Sequence, residues 1–432
     1  MKITFIRPNM TPGRSADALP PLAFAVLAAH TPKDVETEFY DECIEEIPRD
    51  INTDVVAISA HTFSARRAYE IADRFRARGI PVVMGGYHPT FMPQEACAHA
   101  DAVVMGSAEG QWGRIVSDAK AGKLSRTYQT ETLPGPELRR YDMEVFKGKK
   151  YHPLLPVEFT RGCRFQCEFC TVSAFSRNTF TIRPVETVIE DIKQSGAKRV
   201  FFVDDNIMSN KAEAKKLFTM LTSLKIQWGC QISIDVAADA DMLGLMAQSG
   251  CILLMIGFES LRKDNLNLMH KGSHRSADDY APFINRIRDH GIMIYASFMF
   301  GYDFDTGDIF DQTLDFAFRH KFVLVNFNTL NPMPGTQLYT RLRQEGRLID
   351  EHWWLREKFK YGEIMFIPKL MTPRQLKEGC MCARLEFNKF SGIVKRALDF
   401  KANAGSISNL GTFLYTNLVA RKEIRNKMKR VQ

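Results

Sequence analysis

The sequence predicts an α/β protein in three parts: an N-terminal doubly wound, Rossmann-like parallel sheet, then a partial (β/α)6 TIM-type barrel, then a helical C-terminal region. Three observations carry this reading. Strand and helix signals alternate one for one over residues 1–125, the pattern of a parallel sheet with helical crossovers. After a stretch of broken periodicity they alternate again, in six strand–helix steps between residues 157 and 330. The remainder is helical in pattern and basic. The expected boundaries are 1–135 for the first sheet, 136–155 for a linker, 156–345 for the barrel and 346–432 for the helical region.

In order, Lys2–Ile6 reads as a short apolar strand, and Pro20 and Pro21 open a helical stretch, Leu22–His30. Val35–Asp41 alternates apolar and polar residues, as a half-buried strand does. Asp54–Ser59 reads as a buried strand, and Ser64 is placed to cap a helix running to about Arg78. Ile80–Met84 and Asp101–Met105 complete five strands, with a helix from about Glu109. Leu133-Pro-Gly-Pro136 and the Lys-Gly-Lys-Lys run at 147–150 interrupt the pattern like an interdomain linker. The barrel strands are expected at Val157–Thr160, Arg199–Val203, Ile232–Asp235, Ile252–Phe258, Met293–Met299 and Leu324–Leu330.

Composition narrows the class. Of 432 residues, 45% are hydrophobic and 25% charged, which excludes a disordered or collagen-like chain. No apolar run reaches the ~18 residues of a membrane span. MKITFIRPNM reads as a strand and not as a signal peptide. The formal charge is +8, and residues 389–432 hold ten basic and two acidic residues, so the whole excess lies in the tail. The nine cysteines are odd in number and sparse, which suits a reducing, cytoplasmic compartment.

The decisive segment is Arg161-Gly-Cys-Arg-Phe-Gln-Cys-Glu-Phe-Cys170. Cys163, Cys167 and Cys170 are spaced C-x3-C-x2-C just after the first barrel strand, where barrel active sites are built. Three thiolates can hold three irons of a [4Fe–4S] cluster and leave the fourth open. A structural zinc site normally takes four protein ligands, and no second C-x2-C pair completes one. Cys380 and Cys382, at i and i+2, face different sides of a helix. Cys43, Cys97, Cys230 and Cys251 read as buried small side chains.

The segment resembles the radical S-adenosylmethionine (radical SAM) superfamily, whose motif is C-x3-C-x-Φ-C with Φ aromatic; Phe169 is the aromatic residue. The resemblance implies that SAM chelates the open iron, and that an electron from the cluster cleaves it to a 5′-deoxyadenosyl radical. A flavodoxin or ferredoxin would supply the electron. Val203-Asp-Asp-Asn206 stands where many members have Gly-Gly-Glu-Pro. Asp204 or Asp205 is the candidate for the SAM ammonium; the alternative is a helix cap by Asp205 or Asn206. Glu259 and Ser260, ending the fourth barrel strand, resemble a segment beside SAM. Asn331-Pro-Met-Pro-Gly-Thr336 resembles a P-x-P-G-T turn, and Pro and Gly there suffice to build a tight turn.

The first sheet lacks G-x-G-x-x-G and Walker A motifs, which argues against NAD and against a P-loop nucleotide. Its ligand edge is the set of loops after the strands. Pro20-Pro21-Leu22, Gly85-Gly-Tyr-His-Pro-Thr90 and Met105-Gly-Ser-Ala-Glu-Gly110 resemble the cobalamin-binding domain of class B radical SAM enzymes. The resemblance spans residues 1–345 and implies cobalamin contacts by Ser59, His61, Gly85, Gly86, His88, Gly106 and Glu109. The D-x-H-x-x-G motif of other cobalamin proteins is absent, which implies no protein imidazole on cobalt.

The function so implied is methylation of an unactivated carbon through methylcobalamin. The alternatives are radical SAM oxidation or ring formation without net methylation, as in tetrapyrrole-forming relatives, and a zinc-stabilised binding protein. A methylthiotransferase acting on RNA would carry a second three-cysteine set, and only Cys43 and Cys97 lie in that region. The expected substrate is a small or lipid-like molecule, with no nucleic acid. Leu410, Phe413, Leu414, Leu418 and Val419, followed by Arg421, Lys422, Arg425, Lys427, Lys429 and Arg430, read either as a helix packed on the barrel or as a peripheral membrane contact.

Overall fold

The computed structural model describes residues 1–10, 15, 18–271, 277–357, 359–360 and 362–431. Two parallel six-stranded sheets form its frame. The first comprises β1 (Lys2–Arg7), β2 (Glu36–Asp41), β3 (Val55–Ser59), β4 (Val82–Gly85), β5 (Ala102–Met105) and β6 (Thr127–Gln129), in the order 2-1-3-4-5-6. Ile3, Phe5, Val56, Ile58, Val83 and Val103 are all buried, because helices cover both faces and leave no polar side for alternation. β1 pairs with β2 on one side and β3 on the other, so the strand order reverses at β1. Ligands bind at such a switch point, beyond the strands' carboxyl ends. β6 extends the five expected strands by one; only its central Tyr128 is buried, too short a signal for periodicity to register.

β7 (Leu155–Val157), β8 (Thr160–Gly162), β9 (Phe180–Ile182), β10 (Arg199–Phe202), β11 (Gln227–Ile232), β12 (Cys251–Glu259), β13 (Met293–Phe300) and β14 (Leu324–Thr329) follow. The second sheet runs 7-10-11-12-13-14, an open barrel with strand-by-strand helical crossovers. The expected strand at 157–160 divides. β7 belongs to the barrel, whereas β8 turns away and pairs antiparallel with β9, so that this hairpin brackets the cysteine loop. The third barrel strand also differs from expectation. It occupies Gln227–Ile232, and Ile234–Ala238 forms a 3-10 turn instead.

Helix starts follow local chemistry. Asn210 accepts from the amides of Ala212 and Glu213 at the head of Lys211–Leu221, and Thr372 and Gln375 form a capping box before Pro373. Ser64 does not cap: its hydroxyl donates to the His61 carbonyl at 3.1 Å. The C-terminal helices Pro373–Phe387, Phe390–Ala397 and Ile407–Val431 pack behind the barrel. Buried Arg396 donates to the carbonyls of Phe322, Val323 and Phe387, with its guanidinium 3.8 Å from the Phe387 ring centre. One basic residue of the tail is therefore an internal strut. No described helix is long and apolar enough to cross a membrane.

Candidate functional site

The loop between β8 and the short helix Thr171–Ser176 carries the three cysteines. It is pinned from behind by Glu168. The Glu168 amide donates to Met269 O, its carbonyl accepts from the Leu338 amide, and its buried carboxylate meets Arg341 at 2.9 Å. Arg341 in turn pairs with Asp303 at 2.8 Å. Glu168, between Cys167 and Phe169, thus fixes the loop to the barrel. Cys163, Cys167 and Cys170 all line one cavity of about 150 Å³ at the barrel's carboxyl edge.

Phe169, Asp205, Asn206, Gln231, Ser233, Gly257, Glu259 and Lys271 complete that cavity. Glu259 sits at φ +65°, a left-handed backbone that turns its carboxylate inward, where Lys271 Nζ donates to it at 2.7 Å. Burial opposes the Lys271 charge, but Glu259 and the cysteine sulfurs outweigh it and raise the pKa. Burial raises Cys163, and pushes Cys167 up to about 11. A coordinating metal deprotonates such thiols outright. No three His, Cys, Asp or Glu side chains among the described residues converge on a single metal ion. Ligands of separate corners of a cluster need not converge so. An all-sulfur donor set opening onto one cavity with a lysine beside it fits an iron–sulfur cluster.

The two adjacent aspartates divide their roles. Asp204 is fully buried and accepts from the Phe159 amide at 3.2 Å and from the Thr160 amide, tying β10 to the β7–β8 junction. Asp205 accepts from the Gly162 amide at 3.1 Å and faces the cavity; burial pushes its pKa up to about 6. Ser260 is buried outside the cavity, its hydroxyl accepting from the Arg262 amide. Gln231, Ser233 and Lys271 were not anticipated. The first two became legible only when β11 was placed five residues early.

A second cavity, of about 390 Å³, lies at the carboxyl edge of the first sheet. Ser59, His61, Gly85, Gly86, Gly106 and Glu109 line it on that side; Arg161, Phe175 and Val203 line it from the barrel. A Cβ at Gly106, at φ +84°, would run into the Thr130 carbonyl. The smooth, glycine-bearing wall between two sheets suits a broad flat ligand, and so fits a corrin. Glu109, at the start of its helix, pairs with Arg161, and Arg161 also binds Glu158 at 2.7 Å. His61 is exposed to the cavity, yet the surrounding protein mass, Arg7 and His88 push its pKa down to about 4. His88 lies elsewhere. It is fully buried, with Nε2 3.0 Å from both the Tyr69 hydroxyl and Glu95, and Nδ1 3.3 Å from Thr62.

Asp205 lines both cavities, so they adjoin at that residue. A larger groove, about 730 Å³, lies on the outer face of helix Ala65–Arg76, where Arg67 pairs with Glu42 and Glu70; no cysteine reaches it. The remaining cysteines are single. Cys380 is buried and Cys382 exposed, as their spacing requires, and Cys230 and Cys251 are buried, whereas Cys43 and Cys97 are only half-buried.

Residues 157–317 match the radical SAM superfamily and residues 15–115 match the B12 binding domain. The chain is 32% identical to the bacteriochlorophyllide d C-12(1)-methyltransferase of Chlorobaculum tepidum, across 87% of this chain and 84% of that protein. It is 30% identical to the bacteriochlorophyllide d C-8(2)-methyltransferase of the same organism, across 77% and 78%. Its fold matches the cobalamin-dependent SAM radical enzyme OxsB with a TM-score of 0.66 at 14% identity, over 98% of this chain and 71% of that one. The cysteine loop, the open barrel behind it and the glycine-walled cavity in front thus belong to one framework: this chain is a member of the radical SAM superfamily, an enzyme with a [4Fe–4S] cluster and SAM at the barrel and a B12-binding domain before it.

Proposed function

We propose that this enzyme methylates an unactivated carbon of a tetrapyrrole-type substrate. The carrying observation is that the two cavities adjoin at Asp205: a SAM-cleaving site and a cobalamin site that open side by side can act on one substrate atom in turn. In this reading Cys163, Cys167 and Cys170 hold the cluster. Lys271 and Asp205 meet the carboxylate and ammonium of SAM, and Glu259 orients Lys271. Ser59, His61, Gly85, Gly86, Gly106 and Glu109 border the cobalamin. Bound cobalamin supplies a transferable methyl group, and the protein holds the partners apart from water. Relatives that act on bacteriochlorophyllide d support the substrate class.

The test is anaerobic reconstitution with iron, sulfide and hydroxocobalamin, then incubation with a reductant, deuteromethyl SAM and bacteriochlorophyllide. Transfer of a labelled methyl group with formation of 5′-deoxyadenosine is expected. Desaturation or ring closure without label would establish the oxidative alternative instead.

We also infer a peripheral contact with anionic lipid. Phe390 and Val394 are exposed on one helix with Leu398 just after its end, and Ile407, Leu414 and Leu418 on the next. Exposed Lys395 and Lys422 flank them. A second copy would bring like charge against like; an anionic bilayer answers both the apolar stripes and the cations. The side chains of Lys427, Lys429 and Arg430 lie outside the described residues. Vesicles containing phosphatidylglycerol should sediment the protein at low salt, and the double variant Phe390→Glu, Ile407→Glu should stay in solution. Equal behaviour of the two proteins overturns the contact.

A further inference from the structure

The absence of a D-x-H-x-x-G motif says that no histidine stands at one particular spacing. It does not say that none reaches the cofactor. The loop after β3 carries His61 into the 390 Å³ cavity, and His61 is the one histidine among the residues that line it. Its neighbours there are already occupied or unsuited. Arg7 is held by Asp41 at 3.1 Å, and Glu109 is held by Arg161. Burial raises the pKa of the Tyr87 phenol, so its oxygen stays protonated and donates weakly to a metal.

The His61 ring has no hydrogen-bonding partner among the described residues; its one ring contact is Phe63, edge-on at 6.4 Å. His88, by contrast, has both ring nitrogens engaged within its buried network. The exposed His61 ring therefore has a nitrogen lone pair that no protein donor among the described residues occupies, open to whatever enters the cavity. Gly86 stands at φ +103°, and a Cβ there would come within 2.6 Å of the Ala60 carbonyl oxygen, so the loops after β3 and β4 pack directly together and hold His61 at the cavity's edge. Neutral imidazole is the form that binds metals. Cobalt is a metal that imidazole suits.

We propose that His61 is the axial protein ligand of the cobalamin cobalt, on the corrin face turned toward the first sheet. This rests on the reading of the cavity as the cobalamin site. The bond forms by donation of a ring-nitrogen lone pair to cobalt with release of a water ligand, and no oxidation state changes. The opposite corrin face is left to the barrel side of the cavity, where Arg161, Phe175 and Asp205 stand.

The experiment uses cob(II)inamide, a corrinoid without the benzimidazole tail, so that any axial nitrogen must come from the protein. Electron paramagnetic resonance of the anaerobic full-length protein loaded with cob(II)inamide should show nitrogen superhyperfine splitting on the cobalt lines. The splitting should vanish in His61→Ala and return when free imidazole is added to that variant. Circular dichroism and cluster content of His61→Ala should match the parent. A parent protein that binds cob(II)inamide without nitrogen splitting, or a variant that keeps the splitting, overturns the axial role and leaves the cavity assignment standing. Failure of the parent to retain either cob(II)inamide or cobalamin overturns the cavity assignment and this proposal together.

Discussion

Glu259 and Lys271 show how a residue's role depends on where its neighbours put it. Neither is remarkable by type, but a left-handed backbone at Glu259 and a buried ammonium 2.7 Å away make an ion pair beside three thiols. Lys271→Met removes the one cation that lines that cavity among the described residues. A hydrogen bond to a charged group contributes roughly 1.5–3 kcal/mol, so SAM should bind at least tenfold more weakly; isothermal titration of the reconstituted protein measures it, and an unchanged Kd refutes the assignment. The cysteines were legible because their spacing alone identifies them. Replacing Cys163, Cys167 or Cys170 with Ala removes one of three protein ligands, and 5′-deoxyadenosine should no longer form with dithionite as reductant. Asp204, Ser260 and His88 were not separable in sequence from the residues beside them. Adjacent positions on a loop point in different directions, and only the fold says that Asp205 faces the cavities while Asp204 binds the backbone.

At the scale of elements, β11 illustrates what periodicity misses. The expected strand began at Ile232, yet β11 begins at Gln227 and contains Gly229, where a Cβ would sit 3.0 Å from the Leu253 carbonyl and 3.3 Å from Phe201. Close packing of neighbouring strands favours glycine there. The Asn331–Thr336 segment does build a turn, and the turn serves more than its own geometry. Gly335 stands at φ +81°, and a Cβ would overlap the Phe91 ring of the first sheet's loops. Thr336 then caps the helix Gln337–Gln344 by accepting from the Tyr339 amide. Gly335→Ala should cost about 1–2 kcal/mol for the left-handed backbone alone, with a further loss from the overlap. Urea denaturation should show that further loss recovered when Phe91→Ala is added, the signature of direct contact.

Across the whole molecule, the first sheet is joined to the segment after the barrel by a buried polar knot. Glu95 accepts from Tyr69 at 2.8 Å and from Trp354 Nε1 at 3.0 Å, and lies 3.0 Å from His88 and 3.2 Å from His352. Trp353 and Trp354 pack into the first sheet's core beside Phe63 and Met84. Burial works to raise the Glu95 pKa, but hydrogen bonds from His88, Tyr69 and Trp354 win and hold it at about 2. A carboxyl depressed in the folded state stabilises above its unfolded pKa, near 4.5, and that stability is lost as pH falls toward 2. Acid unfolding followed by tryptophan fluorescence should therefore show a component between those values that Glu95→Gln removes. Trp354→Phe, which deletes one charge-assisted hydrogen bond, should cost roughly 1.5–3 kcal/mol at neutral pH.

The amino-acid sequence by itself determined the class, the two parallel sheets, the cysteine triplet and the family, because alternation and C-x3-C-x2-C spacing are local properties of a chain. It also placed Gly86 and Gly106, whose positive φ favours glycine. Tertiary structure alone decided that β8 leaves the barrel to frame the cysteine loop, that His61 faces a cavity while His88 is locked behind it, and that Asp205 is common to two sites. Those outcomes depend on which surfaces of the two sheets meet. Contacts between residues far apart in the chain leave no period to read along it.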